Sequence, residues 1–265
     1  MSGIPIFQVD AFTSRPFRGN PAAVCLLKAK REDSWLQDVA REMNLSETAF
    51  LVPQGDFFHL RWFTPACEVE LCGHATLASA HILYEEKILK SRQQARFHTL
   101  GGPLFASRKN SRIELDFPVD PVARADGPRE LTEALGCKKA VFIGRGRFDY
   151  LVELSGEQEL RSLKPDFRKL AVVTTRGIIV TCRAESGEFD FISRFFAPAY
   201  GIDEDPVTGS AHCALAPYWA DKLGKEELTG FQASARGGVV QVRLGEGRVY
   251  LGGEAVTVLR GTLLD

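Results

Sequence analysis

The chain has 265 residues, 45% of them hydrophobic and 25% charged, which is ample for a packed core in each of about two ordinary domains. Thirty-three lysines and arginines against 34 aspartates and glutamates leave a formal charge of −1, without the field that nucleic acid or an anionic membrane would need. The six cysteines form no C-x-x-C pair, Met1-Ser2-Gly3-Ile4-Pro5-Ile6 has no basic n-region before an apolar run, and no stretch of ~20 apolar residues could span a bilayer. The composition reads as a cytoplasmic protein with reduced thiols and a small-molecule ligand.

Ile4 to Val9 alternates, and Ala22-Ala23-Val24-Cys25-Leu26-Leu27 is a short apolar run; both read as strands, joined through a turn at Phe17-Arg18-Gly19-Asn20-Pro21. Asp33 or Ser34 is placed to cap a helix carrying Trp35, Leu36, Val39, Ala40 and Met43 and stopping near Asn44. A strand follows over Leu45 to Val52 with Glu47 at its mouth, and another over Phe57 to Phe63. A helix from His74 to Glu86 begins with small residues (Ala75, Thr76, Ala78, Ser79, Ala80), which predicts a buried helix with sheet wrapped around it. Arg112 to Phe117 reads as a strand, and Pro118, Pro121, Gly127 and Pro128 mark a boundary between domains 1–118 and 119–265, with the last strand open to either half. Beyond it the pattern predicts a helix at Arg129–Leu135, strands at Ala140–Ile143, Tyr150–Leu154, Gly177–Cys182 and Phe189–Phe196, and glycine-punctuated strands after Phe231.

One unit occurs twice. Arg61-Trp62-Phe63-Thr64-Pro65 leads to Leu71-Cys72-Gly73-His74-Ala75, and Arg194-Phe195-Phe196-Ala197-Pro198 leads to Val207-Thr208-Gly209-Ser210-Ala211, with three more residues between proline and glycine in the second copy. Two such strand–turn–helix units predict two pseudo-symmetric α/β halves, each a curled sheet around a central helix. Each helix start offers unpaired backbone N–H groups and the positive end of the helix dipole, a place for an anion. Both Gly73 and Gly209 let a ligand approach the backbone, though either start can also be an ordinary one that Ser210 merely caps.

Glu47 lies between Leu45 and the apolar Ala49-Phe50-Leu51-Val52, where partial desolvation favours the protonated carboxyl and suits it to proton transfer. His74 is the natural second proton carrier. Asp205 in Asp203-Glu204-Asp205-Pro206 can orient such a partner or serve as a turn residue before proline. A symmetric thiol pair, which a two-base racemase would use, is absent: Cys72 precedes Gly73, but Thr208 precedes Gly209. His59, His74, His81, His98 and His212 show no metal-ligand spacing, and no phosphate loop or dinucleotide fingerprint occurs, so the reading is acid–base chemistry with no metal and no cofactor.

Five segments carry a resemblance: Gly19-Asn20-Pro21-Ala22-Ala23-Val24, Asn44-Leu45-Ser46-Glu47-Thr48-Ala49-Phe50, Phe63-Thr64-Pro65, Cys72-Gly73-His74-Ala75-Thr76 and Glu204-Asp205-Pro206-Val207-Thr208-Gly209-Ser210. In this order they resemble the signature of the PhzF-like phenazine-biosynthesis family, and Pro217-Tyr218-Trp219 with the closing Gly252–Leu263 segment is most similar to its branch containing the vertebrate MAWD-binding protein. The resemblance implies a diaminopimelate-epimerase-like α/β (α+β) fold, a homodimer, and an isomerase without a cofactor in which one glutamate moves a proton. On this chain those roles fall on Glu47, His74, Asp205 and Ser210. The expected function is a cofactor-independent isomerase or epimerase of a small carboxylate, working between the two halves, with catalytic Glu47, His74 and Asp205 and with Asn20, Gly73, Gly209 and Ser210 on the substrate. The alternatives are a protein-binding or scaffold member without turnover, which the branch resemblance suggests, and a thiol racemase acting through Cys72.

Overall fold

The computed structural model describes residues 3–173 and 175–264. Met1 and Ser2, the first residues of the start read above as leaderless, lie outside the described residues, as does Asp265. The chain divides into two compact units, Met1–Phe117 with Tyr250–Asp265, and Pro118–Val249. No helix among the described residues is long and apolar enough to cross a membrane.

The first unit runs β1 (Ile4–Ala11), β2 (Asn20–Leu26), α1 (Asp33–Met43), β3 (Glu47–Gln54), β4 (Phe57–Phe63), β5 (Glu68–Val69), α2 (Gly73–Glu85), β6 (Ala95–Thr99), β7 (Gly102–Lys109) and β8 (Arg112–Pro118), and includes the closing strand Ala255–Leu263. The closing strand pairs antiparallel with β1 and β1 with β2; β2 runs parallel to β3, β3 antiparallel to β4, β4 parallel to β6, and β6, β7 and β8 follow antiparallel. Helix α2 touches β1, β2, β3, β7 and the closing strand, strands from both ends of that row, so the sheet curls around it. Its run of small residues permits this: of α2, only His81 and Glu85 are not buried. Helix α1 covers the other face, packing Leu36, Val39 and Ala40 on Ile4, Ile6, Cys25 and Phe50. With helices on both faces, β2 reads as a nearly unbroken apolar run rather than an alternation. The cap position of α1 is Glu32, not Asp33 or Ser34, and it makes no side-chain cap bond; the Asp33 carboxylate goes to Arg61 Nη1 at 2.7 Å.

The second unit runs β9 (Ala123–Arg124), α3 (Arg129–Leu135), β10 (Phe142–Arg145), β11 (Asp149–Glu153), α4 (Glu157–Ser162), α5 (Phe167–Leu170), β12 (Gly177–Arg183), β13 (Phe191–Phe196), α6 (Gly209–Leu223), β14 (Glu227–Gln232) and β15 (Gly238–Gly245); β16 (Arg248–Gly253) begins in it and from Tyr250 onward belongs to the first unit. Strand β10 is antiparallel to β11, β11 parallel to β12, β12 antiparallel to β13, β13 parallel to β14, and β14 antiparallel to β15. That sequence of senses repeats β1–β2–β3–β4–β6–β7 of the first unit, and α6 enters where α2 does, between the third and fourth strands of the matching set β11–β14. The expected internal repeat is thus present as topology. Helix α6 also tolerates Pro217 inside it: the Cys213 carbonyl that proline cannot serve accepts from Asp120 N–H at 3.1 Å instead.

Candidate active site

The first helix start is assembled from three elements. Gly19 has φ +64, and a Cβ there would lie 2.1 Å from the Ala11 carbonyl oxygen, so only glycine makes the turn that delivers Asn20 to the head of β2. The parallel register sets Ala22 beside Glu47, bringing the first residue of β3 close to Asn20. Cys72 and His74 come from the opening of α2, where Cys72 is the cap residue in extended backbone. Asn20 Nδ2 lies 3.1 Å from His74 Nδ1; in the neutral ring this contact makes Nδ1 the acceptor and puts the proton on Nε2. His74 Nε2 lies 3.0 Å from Glu47 Oε2. The approach is close but poorly directed: both atoms are shielded from solvent, and neither makes an aligned hydrogen bond.

Electrostatics couple this cluster. Burial alone would push the His74 imidazolium down; the Cys72 sulfur and the Glu47 carboxylate outweigh it and hold the ring's titration well above its ordinary value. Burial also pushes the Cys72 thiol up to about 11, and the neighbouring Glu47 adds to that rise. The ligand atoms of Glu47, Cys72 and His74 all lie within 4.8 Å of one another. Spacing along the chain could not show this donor set, because the carboxylate arrives from a different strand.

The second helix start has a different build. Thr208 Oγ1 donates to Asp205 Oδ2 at 2.5 Å, so the expected orienting aspartate closes its own turn. Buried Gln232, on β14, fastens that turn: its Oε1 accepts from Thr208 N–H at 2.9 Å and its Nε2 donates to the Asp205 carbonyl at 2.8 Å. Ser210 Oγ accepts from Arg176 Nη2 at 3.2 Å, and the same guanidinium forks onto the buried Asp149 carboxylate. With its oxygen engaged as an acceptor, the Ser210 hydroxyl proton is left to donate to a ligand.

The echoing arginines have matching tasks. Arg61 grips Glu68 through Nε and Nη2, both at 2.6 Å, and Arg194 grips Glu204 at 2.7 and 2.9 Å. Each glutamate stands four positions before the cap residue of its helix, Cys72 or Thr208. A forked pair therefore ties the end of a strand to the loop that enters each helix. The three residues added in the second copy coincide in number with a single 3-10 turn, Pro198–Tyr200.

Asn20, Glu47, Gly73 and His74 are gathered in the first unit, and Asp205, Gly209 and Ser210 belong to the second. Sequence reasoning passed over Gln232, Arg176 and Asp149. None sits in a motif, and the one signal available for Arg176 was a cation immediately before an apolar strand. Among known proteins, the PhzC-PhzF family model, described as phenazine biosynthesis-like protein, matches residues 9–261. An uncharacterized isomerase of Halalkalibacterium halodurans is 55% identical over 265 residues, covering 100% of both chains. The crystal structure of a PhzF-family phenazine biosynthesis protein of Enterococcus faecalis matches with TM-score 0.94 at 39% identity, covering 99% of each chain. A probable proline racemase of Agrobacterium radiobacter, 12% identical, still reaches TM-score 0.68 over 98% of this chain and 93% of its own, a likeness of fold alone. The epimerase-like fold expected above is borne out, and the chain belongs to the PhzC-PhzF family, with the enzyme class of an isomerase.

Proposed function

We propose that the chain is a cofactor-independent isomerase or epimerase that moves a proton on a small carboxylate-bearing substrate, with Glu47 as the general acid and base. One observation carries this reading: Glu47 Oε2 and His74 Nε2 are buried 3.0 Å apart with no aligned partner, a proton-carrying pair left open for a ligand. The Glu47 carboxylate takes a proton from a carbon next to a carbonyl, carboxyl or conjugated system. The glutamic acid so formed returns it to another carbon of the substrate. His74 Nε2–H, held by Asn20 at the far side of the ring, stabilises the charge that develops. The backbone N–H groups at the Gly73 helix start hold the carboxylate, and Gly209 and Ser210, with Asp205 keeping the turn in shape, offer a helix start of the same kind in the second unit. The homodimer implied by the family resemblance is part of the same reading, and sedimentation reads it directly.

The test is turnover of a panel of small unsaturated, hydroxy and amino carboxylates followed by mass spectrometry and NMR. The product is expected to have the mass of its substrate in H2O, with any deuterium gained in D2O confined to the carbons between which the proton moves. A product of changed mass, or turnover that depends on added nicotinamide, flavin or pyridoxal phosphate, overturns the proposal. Cellular function that survives Glu47→Gln would instead favour a binding or scaffold role.

A further inference from the structure

We infer that Glu47, Cys72 and His74 form a binding site for one thiophilic divalent cation, of which Zn2+ is the type, and that the ion occludes the proton-moving pair. Three observations meet here. Sulfur, imidazole nitrogen and carboxylate oxygen are the donors zinc takes, and all three lie within 4.8 Å of one another. His74 is 5% exposed, and its Nε2 faces Glu47 Oε2 at 3.0 Å without an aligned hydrogen bond, so the metal displaces only that one unaligned approach. Cys72 is buried with its sulfur 3.6 Å from His74 Nδ1 and has no part in the proton transfer proposed above, yet it brings a soft donor to the same cluster.

The metal bond lengths to sulfur, nitrogen and oxygen require donors roughly 3.3–3.6 Å apart around a tetrahedral ion. His74 Nε2 and Glu47 Oε2 are already 3.0 Å apart; Cys72 Sγ faces the other ring nitrogen, Nδ1, at 3.6 Å, so its side chain turns to meet an ion on Nε2, within the 4.8 Å that bounds the three ligand atoms. Charge balance favours the ion in so enclosed a place. Zn2+ replaces the Cys72 thiol proton and the second proton of a charged His74 ring, both leaving to solvent, and one thiolate, one carboxylate and one neutral imidazole cancel its two charges. Three protein donors leave the fourth position open to water. With Nε2 on the metal, the ring's Nδ1 carries the proton, and Asn20, by turning its carboxamide oxygen towards it, becomes the outer partner that orients the ring.

The inference needs only the three donors, so it stands or falls apart from the isomerase reading. The test uses the full, reduced protein with Zn2+ alone in chelator competition, and Co2+ as a spectroscopic substitute. One ion per chain is expected, with a near-ultraviolet thiolate-to-cobalt charge-transfer band. Cys72→Ala should remove the band and weaken zinc by more than about tenfold, as should His74→Asn for affinity, while Cys67→Ser, which alters the exposed thiol, should change neither. Circular dichroism checks each fold; if Cys72→Ala does not fold, the wild-type cobalt band and His74→Asn decide. Failure of the wild type to take up one ion, a cobalt complex without the band, or zinc affinity unchanged in Cys72→Ala or His74→Asn overturns the inference.

Discussion

Acid should weaken the second unit through His212, by an amount its surroundings set. The ring is fully buried beside Phe191, its Nδ1–H donates to the Thr208 carbonyl at 2.8 Å, and its Nε2 has no partner. A second proton would place an unpaired charge in that core, and burial accordingly pushes the pKa down from 6.5 to about 4. Between those values the unfolded chain binds a proton that the native protein does not. The stability held by the neutral ring is therefore complete above the unfolded value and is lost as pH falls through that window towards the folded one. At 1.36 kcal/mol per pKa unit the full loss is about 3 kcal/mol, and the part falling between pH ~7.5 and ~5 is about 2 kcal/mol. Urea unfolding of the wild type and His212→Asn at those two pH values measures it. The variant should lose about 2 kcal/mol less on acidification; equal acid sensitivity within about 0.5 kcal/mol would refute the reasoning.

Gln232→Leu should cost about 2–4 kcal/mol in thermal or urea unfolding, since the buried Thr208 N–H loses its acceptor and the carbonyl of Asp205 a donor. A loss below about 0.5 kcal/mol would show that the turn at the second helix start holds itself. Cys72→Ala should leave isomerase turnover within about tenfold of wild type, because burial keeps the thiol protonated and the proton moves through Glu47. Collapse of activity in that variant would revive the thiol racemase.

The repeated unit was legible because both copies must solve one local problem, leaving a strand at proline and opening a helix on glycine beside a ligand. The arginine of each copy was visible too, but its purpose was not, since Glu68 and Glu204 meet their arginines only across a folded loop. Glu47 stood out by its apolar flanks, a signal that survives in the structure as a half-buried carboxylate at the first position of β3. What escaped was of two kinds. Short elements such as β5, β9, α4 and α5 hold too few residues for a period to show, and their conformation is imposed by neighbours. Partners such as Gln232, Arg176 and Asp149 act through contacts between distant segments, and an isolated polar residue on a strand carries no mark of what it will face.

Glu47→Gln bears on the central claim most directly. The substitution keeps the shape of the side chain and removes its ability to take up and return a proton. Steady-state kinetics on a turned-over carboxylate, alongside direct measurement of binding, should show kcat reduced by about 10²–10⁴-fold with binding largely retained. Turnover by Glu47→Gln within about tenfold of wild type would contradict the assignment of the proton to Glu47.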